Sequence, residues 1–434
     1  MALNVCFYED NSYKNFYPLT HLKSVYLLRT GMVELFRNTE RYFPKAKVTF
    51  ACRSHLVPLI AESWHDISVN SIKPNGNDVL FINGRLRDIG NLPELVKQSS
   101  LSTRYITAEN EVVAVFLKPD LMDSISSEAT PVEYEQLVKD KAESINTVNS
   151  TATLYRHAWD LIADIESAIK VDFKHLRSTF ENSGSVKIND AATLVNDKDI
   201  FLCDGVEVCP GAVIDASHGP VYVGANTRIE SHSAVYGPCY IGDDCIILAG
   251  KITGSSIGYG CRVGGEVEES VFHSFVNKYH AGFIGHSYVA PWVNFGAMTT
   301  NSDLKNNYSS IRISLNGQLS DTGLIKLGSL IGDHTKFGIG TLLNTGINIG
   351  VCCNIFGGNL ILDKEIPSFS WGGSDGYTKY HVDKAIETAK VVSQRRHCDL
   401  SHYEIDILQS IASGDDSEEG VLEFDPVRQT GGNV

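Results

Sequence analysis

This sequence has no basic excess. Its 37 Lys and Arg stand against 52 Asp and Glu, a formal charge of −15. A nucleic-acid binder gains affinity by displacing counterions with a cationic surface, so that class is excluded. No stretch approaches the ~18 consecutive apolar residues of a membrane span. The opening MALNVCFYED meets acids too soon for a secretory leader. The ten cysteines include no CxxC pair, which points to packed thiols in a reducing cytoplasm.

What the chain does have is glycine, 37 residues of it, and a six-residue rhythm. Val223, Ile229, Val235, Ile241 and Ile247 follow one another at steps of six. Four residues after each of the first four stands a small residue: Thr227, Ser233, Cys239 and Cys245. The pattern breaks near Lys251, resumes at Ile257 and Val263, and returns at Ile325, Ile331, Phe337, Leu343, Ile349 and Ile355. A period of six suits neither an α-helix nor an amphipathic strand. It suits a parallel β-helix, in which each unit is one side of a triangular coil. Coils then stack at the ~4.8 Å spacing of paired strands. Cys203, Cys209, Cys239, Cys245, Cys261 and Cys353 fall at or near the small position, so they read as packing rather than metal ligands.

The same register runs through NKYHAGFIGHSYVAPWVNFG (277–296). It sets Asn277, Phe283, Val289 and Phe295 inward, and turns His280 and His286 outward. An outward histidine titrates near neutrality and suits a general base. Spacing alone favours the plainer reading, an exposed or interface histidine without chemistry. His273, His280 and His286 also suggest zinc. Residues six apart lie on different sides of the triangle and diverge, whereas ligands must meet within about 2.1 Å of one ion. Only ligation across subunits would bring such residues together.

The strings GPVYVG (219–224), GEV (265–267), NKYHAGFIGHS (277–287), NSDLKNNY (301–308), IGDHTKFGIGT (331–341), NTGINIG (344–350) and IPSFSWG (366–372) carry a resemblance. The chain resembles the bifunctional enzymes of UDP-N-acetylglucosamine synthesis, which join an N-acetylglucosamine-1-phosphate uridyltransferase to a glucosamine-1-phosphate acetyltransferase. It is most similar to a divergent branch of sugar nucleotidyltransferases with that layout. The resemblance implies a left-handed β-helix assembled as a homotrimer. It also implies His280 as the base of acetyl transfer, with Asn277, Lys278, Asn301, Lys305 and Arg312 toward sugar phosphate or acetyl-CoA. Backbone N–H groups near Gly282 or Gly296 would hold the oxyanion. One residue, Tyr279, separates lysine from histidine where the family has two, and Phe283 replaces a tyrosine.

The first part has α/β character. NVCFY (4–8), KVTFAC (47–52), DVLFING (78–84) and EVVAVFL (111–117) read as strands of a Rossmann-like parallel sheet, with ligands at the carboxyl ends. The related nucleotidyltransferases carry a glycine-rich loop after the first strand, whose N–H groups cradle a triphosphate. Here Tyr8 to Tyr17 contains no glycine, while Pro18-Leu19-Thr20, Lys23 and Arg29 remain. Where the family places a magnesium-binding Asp, this chain offers Asn83, with Arg85 beside it and Asp88 beyond.

The expected organisation is an α/β nucleotidyltransferase-like domain (1–125), a helical connector (126–200), a left-handed parallel β-helix (201–372), a C-terminal helix (373–413) closing the coil's open end, and a mobile acidic tail (414–434). The expected function is acetyl transfer to a sugar phosphate from acetyl-CoA, joined to nucleotidyl transfer from a nucleoside triphosphate with Mg2+. Thr20, Lys23, Arg29, Asn83 and Arg85 would bind nucleotide, with Asp88 toward metal. The alternatives are a non-catalytic nucleotide-sugar-binding or scaffold protein, and zinc-dependent hydration.

Overall fold

A computed structural model of the chain describes residues 3–180, 184–414 and 420–424. It has the expected architecture: an α/β domain followed by a parallel β-helix. The first domain is built on seven strands: β1 (Leu3–Tyr8), β2 (Lys47–Ala51), β3 (Ser68–Val69), β4 (Asp78–Asn83), β5 (Thr103–Ile106), β6 (Val112–Leu117) and β7 (Asn146–Asn149). Their order is β3-β2-β1-β4-β6-β5-β7. Strands β1 to β4 are parallel, but β6 runs antiparallel to both β4 and β5, so the sheet is mixed rather than all parallel. The sheet also reaches into the expected connector, because β7 pairs with β5. β1, β2 and β4 read as near-continuous apolar runs because helices cover both faces. In register, Tyr8 lies between Ala51 and Asn83, so all three chains leave the sheet at one edge.

The rungs begin at Lys187–Ile188, earlier than residue 201. Val223, Ile229, Val235, Ile241 and Ile247 fill one continuous interior with Ile331, Phe337, Leu343, Ile349 and Ile355. Thr227, Ser233, Cys239, Cys245 and Cys353 are buried as the small position requires, and every cysteine is a free thiol. Ile325 departs from the pattern: it is exposed, and the neighbouring Leu327 is buried outside the coil interior, against Ile311 and Ile313.

The register also slips in the middle. Ile241 stacks on Ile257 and Ile257 on Phe272, coils of sixteen and fifteen residues instead of eighteen. A six-step count therefore drifts by one. Lys278, not Asn277, pairs with Val263 and takes the interior slot, with Val276 at the small position. Likewise Ile284 is in the core and Phe283 is half-buried outside it.

The end of the coil is closed by the antiparallel hairpin Ser370–Gly373/Gly376–Lys379, not by a helix. The single expected C-terminal helix is two, Val382–Gln394 and His402–Ser413. Ala385, Ile407 and Leu408 pack with Phe50, Leu56 and Ile60 of the first domain and with Val351 and Phe369 of the β-helix. These helices therefore wedge the two domains together. Lys23 pairs with Asp333 (2.6 Å), the Arg29 N–H donates to the Tyr288 hydroxyl (3.0 Å), and the Ser256 hydroxyl donates to the Gly31 carbonyl (2.6 Å) across the same junction. Part of the expected mobile tail is also packed: Leu422 and Phe424 are buried against the first domain. Residues 415–419 and 425–434 lie outside the described residues.

Candidate functional site

The carboxyl edge of β1 and β4 opens into a cleft of about 820 Å³. Its floor is made by Tyr8, Asp10, Asn83 and Arg85, and Lys14, Glu111, Lys139 and His157 stand around it. After β1 the chain forms a 3-10 turn, Asn11–Phe16, in place of a glycine loop. Asp10 caps that turn by accepting the Ser12 N–H (3.1 Å). The same carboxylate receives Arg85 Nε (3.0 Å) and Nη2 (2.8 Å), and Asn83 Nδ2 (2.8 Å). Asn83 Oδ1 in turn accepts the Arg85 N–H (3.0 Å). A bidentate guanidinium–carboxylate pair fixes both groups in one geometry.

One residue before Asp10, Glu9 makes a fully buried pair with Arg53 (2.9 Å). Arg53 also lies over the Tyr13 ring (3.9 Å) and donates to the Thr20 carbonyl. This buried guanidinium folds the Pro18-Leu19-Thr20 turn back onto the sheet. The outer wall of the cleft comes from the other domain. A hairpin inserted in the β-helix, Arg312–Leu315/Gln318–Asp321, brings Leu315, Asn316, Gln318 and Ser320, and Asn316 donates to the Lys14 carbonyl (3.1 Å).

Of the expected nucleotide residues, Asn83 and Arg85 line this cleft and the others do not. Thr20 is fully buried, with its hydroxyl on the Tyr13 carbonyl (2.9 Å). Lys23 is committed to Asp333 at the domain junction. Arg29 is buried against Glu34 (2.9 Å) and the Tyr240 ring. Asp88 accepts the Gly90 N–H and lines a different cleft, with Asp164 and Tyr155. Asp10 and Glu111 escaped the sequence reading. Asp10 had a signal, an acid directly after the first strand in FYED; Glu111 and the hairpin had none, because only the fold brings them there.

The second candidate lies on an edge of the β-helix. Lys278 sits inside the coil, and burial pushes its amine down to about 8. The amine donates to the carbonyls of Gly264 (2.7 Å) and His280 (3.0 Å). It therefore holds the turn that carries His280 rather than facing a substrate. Gly282 closes the turn at φ +132°, where a Cβ would stand 2.2 Å from the Thr299 carbonyl oxygen. His280 is exposed, its ring edge-on to Tyr279.

Asn277 donates to Asn294 across rungs (2.7 Å). Asn301 is buried and bonds both backbone groups of Gly285 (2.8 and 2.9 Å), a structural plug rather than a ligand group. The Gly296 N–H is spent on the Phe337 carbonyl, which removes it as an oxyanion donor. Lys305 donates to the Ser310 carbonyl and Arg312 lies exposed on the hairpin. Lys364, absent from the sequence reading, is half-buried, and burial and then the charges of Lys305 and Arg312 lower its pKa.

His286 differs from His280 in kind. It is 6% exposed, with Nδ1 2.7 Å from Asp303 and Nε2 3.3 Å from Glu269. Burial opposes its charge, but the two carboxylates outweigh that and hold the imidazolium up to about 9. A histidine already protonated at neutral pH cannot accept a substrate proton. His273 faces Lys23, Arg29 and the Leu27 carbonyl, and burial with those cations takes it down to about 3. The three histidines of the zinc idea thus have three separate surroundings.

Comparison with known proteins adds partial relatives. Residues 5–180 match the family model of sugar nucleotidyl transferases. A bifunctional sugar-1-phosphate nucleotidylyltransferase/acetyltransferase of Sulfurisphaera tokodaii is 32% identical over 22% of this chain and 24% of its own length. The bifunctional protein GlmU of Methanococcus vannielii is 26% identical over 32% of this chain and 31% of its own. An uncharacterized acetyltransferase, YaiX of Escherichia coli, is 28% identical over 38% of this chain and 72% of its own. The chain thus spans about a quarter to a third of the bifunctional relatives. Among solved structures, the UDP-N-acetylglucosamine acyltransferase of Campylobacter jejuni aligns with 55% of this chain and 92% of its own at 13% identity and a TM-score of 0.23. The chain is thus similar, at low identity, to parts of known bifunctional sugar-1-phosphate enzymes.

Proposed function

We propose that the chain is a two-site transferase of nucleotide-sugar synthesis. An amino-sugar 1-phosphate is acetylated from acetyl-CoA at the β-helix edge, and a nucleoside triphosphate binds in the cleft of the first domain for nucleotidyl transfer. The observation that carries this reading is the joining of the two parts: a sugar nucleotidyl transferase family region with a polar cleft at its strand ends, and a β-helix edge that presents His280 on a turn anchored from within by Lys278. At that edge His280 takes a proton from the sugar amine as its nitrogen attacks the thioester carbonyl. The C–S bond then breaks and CoA leaves as its thiolate.

The edge is half a site within one chain. Ala281 accepts the N–H of exposed Met298, and Ala297 accepts the N–H of Gly340, next to exposed Ile339. His280 thus lies along an apolar edge of Tyr279, Met298 and Ile339. Second and third copies in a homotrimer would cover that edge and wall the base. Ten unpaired thiols suit a reducing cytoplasm, and among the described residues no helix is long and apolar enough to cross a membrane.

Among the described residues of the first-domain cleft, a resident magnesium ion has no ready donor set, since Glu111 too is paired, with Arg156 (2.8 Å). Asp10 and Asn83 are committed to Arg85, and Asp88 lies outside the cleft. The same commitment favours a second reading for this domain alone, in which it binds a nucleotide-sugar without transferring it. The test is CoA release from acetyl-CoA with glucosamine 1-phosphate, run beside pyrophosphate release from UTP with the acetylated sugar phosphate. Sugar-dependent CoA release supports acyl transfer, and its absence across amino-sugar phosphates rejects it. UTP binding without pyrophosphate release selects the binding-only reading of the first domain.

A further inference from the structure

We propose that residues 420–424 are a built-in occupant of the nucleotide cleft, docked where a nucleoside triphosphate would place phosphate and displaced when one binds. The proposal rests on the nucleotide reading of that cleft. Leu422 is fully buried and Phe424 is 2% exposed, although both were expected in a tail without fixed position. Leu422 donates its N–H to the Glu9 carbonyl (3.2 Å), where β1 ends. Phe424 packs edge-on against Tyr8 and Phe81, with ring centroids 5.1 Å away in both cases.

Between these two anchors Glu423 turns into the cleft. Its Oε1 accepts the Asn11 N–H (3.1 Å), the first amide of the 3-10 turn after β1. The next amide, Ser12, is taken by Asp10. Both leading N–H groups of the turn are thus answered by the chain's own carboxylates. An incoming phosphate would seek the same donors, since it too is an anion accepting charge-assisted bonds.

Charge supports exchange rather than permanent closure. With Glu423 docked, Lys14, Arg85 and Lys139 face Asp10, Glu111 and Glu423 around the cleft. Lys139 also pairs with Glu135 and Glu111 with Arg156, so those charges are met from outside the lining; when Glu423 leaves, the cleft loses one negative charge and becomes more favourable to an anion. The segment is tethered: it follows the helix His402–Ser413, which ends at Gly414 in the left-handed conformation (φ +79°). A tethered competitor acts at high effective concentration and lowers apparent ligand affinity by the fraction of time it is docked.

The experiment titrates UTP into the full chain, into a chain ended after Gly414, and into Glu423→Gln. Amide hydrogen exchange at Asn11 and Leu422 is followed in the full chain with and without UTP. The expected results are about tenfold tighter binding on truncation and about threefold on Glu423→Gln. UTP should unprotect the Leu422 amide while Asn11 stays protected. Equal affinity in the three chains, with Leu422 protected under bound UTP, would overturn the occupant and leave the nucleotide site standing. Absence of UTP binding in every chain would overturn the nucleotide reading, and displacement with it. Should the shortened chain not fold, Glu423→Gln and the exchange measurement decide alone.

Discussion

The first-domain cleft and the β-helix edge solve different problems with similar residues. In the cleft, the charged groups that face the opening already hold one another: Asp10 with Arg85 and Asn83, Glu423 with the Asn11 amide. One chain supplies every wall, even the hairpin from the far domain. At the edge, the groups that hold one another lie behind the surface. Lys278 is buried and serves carbonyls, whereas His280 stands in the open beside uncovered Met298 and Ile339. A site that is complete in one chain should survive dissociation, and a site that needs a neighbour should not.

The largest effect should come from breaking the edge. Ile339→Asp places a charge where a second copy would pack but touches no core, since Ile339 is 77% exposed. It should turn an oligomer into a monomer by light scattering and cut acyl transfer by about 100-fold, because a half-built site loses positioning. UTP binding should stay as it was. The reverse disturbance is Arg85→Met, which leaves the Asp10 carboxylate without its bidentate partner. It should cost about 3 kcal/mol in chemical denaturation and abolish UTP binding, with the oligomer intact.

His286 supplies a pH test. Its folded pKa, about 9, lies above the unfolded value near 6.5, so its stabilisation is complete below about 6.5 and is lost as pH rises through about 9. The His286→Gln deficit should therefore be about 2 to 3 kcal/mol at pH 6 and vanish above pH 9, measured by urea unfolding across that range. A deficit that grows with pH would contradict the charged assignment. The smallest change in stability belongs to Lys278→Met, which fills the same rung. Exchanging a buried amine for a matching apolar group should alter unfolding free energy by no more than about 1 kcal/mol. Acyl transfer should fall chiefly in kcat, because the His280 turn loses its anchor; an unchanged kcat would remove Lys278 from that role.

Repetition made the β-helix legible. Val223 to Ile247 obey two coupled rules because every coil must fill the same triangle, and all of them are buried. The register failed at Asn277 because coils of fifteen and sixteen residues interrupt an eighteen-residue count, and composition does not announce a shortened corner. That slip hid the interior place of Lys278. In the first domain, strands such as Asp78–Asn83 were readable as apolar runs, yet the reversed direction of Val112–Leu117 was not, since pairing direction leaves no mark on one strand. Asn83 and Arg85 were found through the resemblance, which places the family's magnesium-binding Asp at that point of the chain. Thr20, Lys23 and Arg29 were misplaced because the turn after Tyr8 folds around Arg53 rather than around a ligand. The docking of Leu422 and Phe424 depended on two apolar residues in an acidic stretch, a signal too short to weigh against the charges beside it.

The central claim is that the exposed histidine on the β-helix edge is the base of an acyl transfer. The most direct test measures CoA release from acetyl-CoA and glucosamine 1-phosphate by wild-type chain and by His280→Ala, with oligomer size and UTP binding followed in the same preparations. The account predicts that His280→Ala loses at least about 100-fold in rate while its size and UTP affinity are those of the wild type. CoA release at the wild-type rate from a correctly assembled His280→Ala would contradict it.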